Sequence, residues 1–190
     1  MPPSDSDVRI GLDAEALSGP EWFPSKFQTK LAVSFAWGTK KSDIESVQSY
    51  DMTAGVWLRS ELLEVAEEFY DAEDCIVVAH NARYDLDLLN GTLLTHNLRP
   101  LPSGIRYQDT MNTLKTGSAY RNRLSDRCAA MGVNLKTGGP DWLKVLQRDR
   151  EEWVKMATYN ENDVICALAL ERAYAKAGNP VPIKVWNPRR

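Results

Sequence analysis

The chain has 190 residues, 43% of them hydrophobic, with only 10 prolines and 11 glycines; that is enough apolar material for a full core and predicts one domain over residues 1–190. A net charge of −3 excludes a broad basic clamp on nucleic acid, but not an acidic centre that bound cations neutralise. No stretch is long and apolar enough to cross a bilayer, and Met1-Pro2-Pro3-Ser4-Asp5-Ser6-Asp7 lacks the basic start and apolar run of a secretory signal, so a cytoplasmic protein without a membrane partner is expected.

The first element is a short apolar segment, Val8 to Ala16, that ends in Asp13 and Glu15. In a strand, side chains two apart project to one face, so these two carboxylates can share a cation. Alone, the pair would read as two solvated acids. A loop with Pro20 and Pro24 leads to a second strand, Leu31 to Trp37, rich in β-formers, and Ile44 to Tyr50 offers a third. From Arg59 to Tyr70, Leu62, Val65, Ala66 and Phe69 recur at the spacing of one helical face. Cys75 to Ala79 is a continuous apolar run, as in a strand covered on both faces. A helix follows from about Ala82 to Leu94, a strand at Ile105 to Gln108, a helical stretch after Asp109, and a helix from Leu124 to Met131 closed by Gly132. The last large helix covers about Asp149 to Ala177 and stops at Gly178. The tail from Lys184 to Arg190 is basic and reads as an ordinary exposed terminus. Early strands with helices around and after them predict an α/β fold with a central mixed sheet. Cys75, Cys128 and Cys166, odd in number and far apart, give neither a disulfide framework nor a zinc signature and are read as buried thiols.

Two further acidic positions fall where a sheet protein places a site. Asn81-Ala82-Arg83-Tyr84-Asp85 follows the buried strand directly, at a strand-to-helix junction. Asp85 can face a cleft there or merely meet the helix dipole; Asp87 should point elsewhere. Tyr159 and Asp163, four apart, share one face of the last helix, with Glu161 turned away from it. Asp163 could also be a plain helix acid ahead of Val164. His80 should be a satisfied structural histidine, because strand alternation turns it from the side that Asn81 faces. His96 reads as a surface loop residue, and Asp109 as a structural acid or one supporting the site. Of the six tryptophans, Trp37 and Trp153 sit in apolar-periodic segments and are expected to pack, whereas Trp22 and Phe23, in the loop after Glu15, are the best placed to meet a terminal base.

In order and spacing, Asp13-x-Glu15, Asn81-x-x-Tyr84-Asp85 and Tyr159-x-x-x-Asp163 resemble the three exonuclease motifs of the DnaQ-like superfamily, in its tyrosine (DEDDy) subgroup. The subgroup with histidine in the third motif places it one residue before the tyrosine position, where this chain has Thr158. Asn122-Arg123-Leu124 and Lys136-Thr137-Gly138-Gly139 add a similarity to stand-alone exonucleases of bacteria and tailed phages. The likeness runs from about residue 8 to 175. It implies an RNase H-like fold, a mixed five-stranded sheet flanked by helices, and hydrolysis of single-stranded nucleic acid from the 3′ end to nucleoside monophosphates. Ala16 departs from the pattern where threonine is common, which touches the substrate surface and leaves the acids intact.

The chemistry also follows from the residue types. Cleaving a phosphodiester needs an in-line water and a charged leaving oxygen, and two cations about 4 Å apart stabilise both. Carboxylates without a neighbouring histidine or cysteine favour Mg²⁺ or Mn²⁺. Asp13 is assigned as the bridge between the cations; the resemblance places Glu15 and Asp163 on the side of the attacking water and Asp85 on the leaving-group side. A phenol titrates near 10, so Tyr159 orients the water rather than deprotonating it. Asn81 and Lys136 are candidates for substrate contact. The expected partner is single-stranded nucleic acid with a free 3′ end, DNA ahead of RNA, with a replicative polymerase as a possible associate. An exoribonuclease would use the same residues, and an inactive accessory module would have less reason to keep all five.

Overall fold

A computed structural model describes residues 8–17, 31–40, 44–51, 58–70, 75–112, 123–133, 138–147 and 149–188 of the protein. In chain order its elements are β1 (Val8–Leu17), β2 (Leu31–Lys40), β3 (Ile44–Asp51), α1 (Arg59–Tyr70), β4 (Cys75–Ala79), α2 (Ala82–Thr95), β5 (Ile105–Asp109), a 3₁₀ turn (Thr110–Asn112), α3 (Leu124–Ala130), α4 (Trp142–Leu146), α5 (Arg150–Lys176) and β6 (Ile183–Trp186). The strands form one mixed sheet in the order β3-β2-β1-β4-β5-β6. β1, β4 and β5 run parallel, while β2, β3 and β6 each lie antiparallel to their neighbours.

The sheet therefore has six strands where five were expected, and the difference is the tail. Ile183 to Trp186 pairs with β5, Ile105 opposite Trp186 and Gln108 opposite Ile183. Trp186 is buried, and its indole N–H donates to Asp87 Oδ1 at 2.8 Å. The reading of this segment as an exposed terminus is corrected for Lys184 to Trp186: they belong to an edge strand anchored by the buried Trp186, while Val185 stays exposed, so no two-residue period marks the strand in the sequence.

β1 sits in the middle of the sheet, and its alternation divides the molecule. Ile10, Leu12 and Ala14 face a core shared with Leu62, Val65, Ala66 and Phe69 of α1 and Leu86, Leu89 and Leu93 of α2. Gly11, Asp13 and Glu15 face the other way, where α5 crosses. A Cβ on Gly11 would stand 2.6 Å from Val164 Cγ1 and 2.9 Å from Leu168 Cδ1. Glycine is what lets α5 lie this close to the strand.

Helix ends follow from local chemistry. Asp149 caps α5 by accepting from the N–H groups of Glu151 at 3.0 Å and Glu152 at 3.2 Å. At its far end Gly178 is left-handed with φ 77°, and Asn179 N–H returns to the Tyr174 carbonyl at 2.9 Å, a Schellman closure. Gly132 closes α3 in the same way, with Val133 N–H on the Cys128 carbonyl. His96 is corrected from a loop residue to the C-cap of α2. Cys128 and Cys166 are buried as expected, but Cys75 is only half-buried.

Candidate metal centre

Beyond the β1–β4 ladder lies the cleft. The parallel register ends with Gly11 opposite Val78; carried on by two residues, it sets Asp13 just past the end of β4 at Ala79, with β1 still running. A register shift in the β1–β2 pairing falls between Glu15 and Ala16, a bulge at the rim of the cleft. From the other side, the contact of Val164 and Leu168 with Gly11 brings the preceding turn of α5, with Asp163 and Tyr159, over the two carboxylates. One ligand atom each of Asp13, Glu15 and Asp163 lies within 4.8 Å of the others.

Asp85 completes the wall from the first turn of α2. It is 3% exposed; the Ala14 backbone N–H bonds to its carboxylate, which β4, already ended, leaves within reach. Its Oδ2 is buried without a hydrogen-bond partner among the described residues. Burial first, then the charges of Glu15 and Asp109, push the Asp85 carboxyl well above the ordinary carboxylate value, against the opposing pull of the Ala14 and Asp85 backbone N–H groups. A buried carboxylate oxygen with no donor among the described residues, beside three converging acids, fits a divalent cation. All four ligand candidates are hard oxygen donors, which fits Mg²⁺ or Mn²⁺.

Tyr159 is half-buried at the edge of the cluster. Burial raises its phenol pKa, and Glu15 and then Asp13 raise it further, so the hydroxyl remains a protonated donor. The structure thus brings Asp13, Glu15, Asp85, Tyr159 and Asp163 to one cleft.

The other sequence candidates that lie among the described residues make structural contacts. Asn81 is the left-handed residue before α2, at φ 93°, and its backbone N–H donates to Asp109 Oδ1 at 3.0 Å. The same oxygen accepts from Met111 N–H at 3.1 Å, so Asp109 ties the strand-end turn that aims α2. Asparagine's tolerance of left-handed backbone was the available signal for this turn. His80 Nδ1 lies 3.0 Å from Thr110 Oγ1, a structural contact as expected. Trp153 packs against the core. Lys136, Asn122, Trp22 and Phe23 lie outside the described residues, as does the side chain of Trp37.

The fold is that of 3′-exonucleases. No protein-family model and no curated protein sequence matches the chain. Among solved structures, the family B DNA polymerase of the hyperthermophilic archaeon Pyrobaculum calidifontis superposes with a TM-score of 0.63 at 11% identity, over 89% of this chain and 24% of the polymerase. The chain thus spans about a quarter of that protein. A 3′-exonuclease described in specific recognition of the histone mRNA stem-loop superposes at 0.59 and 11% identity, covering 97% of this chain and 92% of its own. The nuclease domain of 3′hExo, a DEDDh family member bound to rAMP, gives 0.58 and 10% identity over 94% and 96% of the two chains.

Proposed function

We propose that the protein is a metal-dependent 3′-5′ exonuclease of the DnaQ-like, RNase H-like superfamily, in the tyrosine subgroup, hydrolysing single-stranded DNA to nucleoside monophosphates. The observation that carries this reading is the convergence of Asp13, Glu15 and Asp163 within 4.8 Å beside the buried Asp85 oxygen that has no hydrogen-bond partner among the described residues. Its likeness in fold to 3′-exonucleases supports the direction of attack.

Asp13, Glu15, Asp85 and Asp163 would hold two divalent cations, Mg²⁺ or Mn²⁺, which when bound stabilise charge on the attacking and leaving oxygens. Asp13, on the central strand β1, would be shared by the two cations, with Glu15 and Asp163 serving the side of the attacking water and Asp85 the side of the departing 3′ oxygen. Tyr159 donates its O–H to the water and sets its line of approach. Thr158 stands where the histidine subgroup carries its base, which favours the tyrosine reading. The whole chain acts as one exonuclease domain in the cytoplasm, gripping a strand end rather than a duplex, with Asn81 and Lys136 as the candidates for contact with that end. No helix among the described residues is long and apolar enough to cross a membrane. The polymerase likeness favours DNA and a replicative polymerase as associate; the histone mRNA exonuclease keeps RNA as the second substrate.

5′-labelled single-stranded DNA and RNA, incubated with protein and Mg²⁺, Mn²⁺ or EDTA, test this directly. A ladder shortening by single nucleotides from the 3′ end is expected, faster on DNA, and abolished by EDTA and by Asp13→Ala. Tight binding with no ladder in any metal would make the protein an accessory module instead.

A further inference from the structure

The ring of Tyr159 lies against Gly139. A Cβ at Gly139 would stand 3.0 Å from Tyr159 Cε2 and 3.2 Å from Cδ2, so a side chain there would require the phenol ring to give by a few tenths of an ångström. The segment carrying Gly139 is fastened just beyond it. Pro140 is buried, and the Asp141 backbone N–H donates to Glu152 Oε2 at 2.8 Å. Glu152 is itself buried, and its second oxygen takes Lys155 Nζ at 2.6 Å. On α5, Glu152 precedes Tyr159 by seven residues, two helical turns, so both lie on one face. Asp141 also caps α4, accepting from Leu143 N–H at 3.0 Å, which holds the segment from its other side.

We propose that residues 139–141 form a brace along α5, fastened at Glu152 and seated on the phenol, and that Gly139 and Glu152 are positioning residues for the Tyr159 hydroxyl. This rests on the reading of Tyr159 as the group that orients the attacking water. The brace removes one side of the ring's freedom, so the hydroxyl reaches the water without first being ordered by substrate. Misplacement of such a group costs rate rather than substrate affinity.

The test is steady-state cleavage of 5′-labelled single-stranded DNA with Mg²⁺ by Gly139→Ala, Tyr159→Phe, the double variant, Glu152→Ala and Glu152→Gln. Gly139→Ala should lower kcat about 10-fold with KM within about twofold, and Tyr159→Phe should lower it by about 100-fold. In the Tyr159→Phe background Gly139→Ala should cost nothing more, because there is no hydroxyl left to aim. Glu152→Gln keeps a carbonyl for Asp141 N–H and should keep most of kcat, whereas Glu152→Ala should match Gly139→Ala. An equal loss from Gly139→Ala in both backgrounds, a change in KM in place of kcat, or no change at all would overturn the brace. An unchanged kcat for Tyr159→Phe would instead overturn the role of the hydroxyl, and the brace would fall with it.

Discussion

The two faces of β1 use consecutive residues for opposite ends. Ile10, Leu12 and Ala14 disappear into the core under α1 and α2, while Gly11, Asp13 and Glu15 meet α5 and line the cleft. Because the strand period is two, a slip of one residue would exchange core and site completely. Stability and chemistry are therefore interleaved at single-residue spacing along one strand, yet they should be separable by substitution.

The sharpest form of that contrast is Asp13→Ala against Leu12→Ala. The first should cut the cleavage rate by about 10³-fold or more while leaving the thermal midpoint of the cation-free protein unchanged or higher, since one of several mutually repelling acids is gone. The second should cost about 2–5 kcal/mol in stability, with the rate per folded molecule within about twofold of wild type. Denaturant melts and rates on the same preparations check both; loss of rate in a fully folded Leu12→Ala would break the separation.

Gly11→Ala probes the seat of α5 on the site face of β1. Its methyl would enter the space of Val164 Cγ1, 2.6 Å away, at a cost of about 1–3 kcal/mol, and would lift the turn of α5 carrying Asp163. Both stability and Mg²⁺ affinity should fall, the latter read by titration of intrinsic fluorescence. A variant that loses stability but binds Mg²⁺ as before would mean that Asp163 is placed independently of this contact.

The smallest effect concerns Asp85 without cations. Its folded pKa lies above the ordinary 3.8, so the folded state holds this proton to higher pH than the unfolded chain, and its contribution to stability falls as pH rises from about that ordinary value through the raised one. Asp85→Asn should remove this loss and raise the cation-free midpoint near pH 7 by about 2–4 °C, what 1 kcal/mol is worth at this chain length. It should also shrink the further rise that Mg²⁺ gives. A lower midpoint in the cation-free variant would show that the carboxylate is needed by the fold itself.

Much of this arrangement was legible in the sequence because it is periodic or locally capped. The pair Asp13 and Glu15 reads as one strand face, Tyr159 and Asp163 as one helix face, and Gly132 and Gly178 as helix stops. What escaped was set by contacts between distant segments or by short elements. Trp186 bonds Asp87 across 99 positions, which no window contains, and its strand has only four residues. The five-residue α4 has too few positions for a helical period, although Asp141 at its cap was a signal. The close approach of Val164 and Leu168 to Gly11 likewise joins segments far apart in the chain.

α5 runs 27 residues from Arg150 to Lys176 and contains neither glycine nor proline, so nothing within it serves as a hinge. Tyr159 and Asp163 ride on one rod about 40 Å long and cannot part from each other during turnover. If the protein degrades a strand end as proposed, each shortened strand would leave or advance past a stationary α5, or past an α5 that shifts as a whole and unseats Val164 from Gly11. Repeated cleavage along one strand would then require the nucleic acid to do the moving, with this helix as the fixed rail.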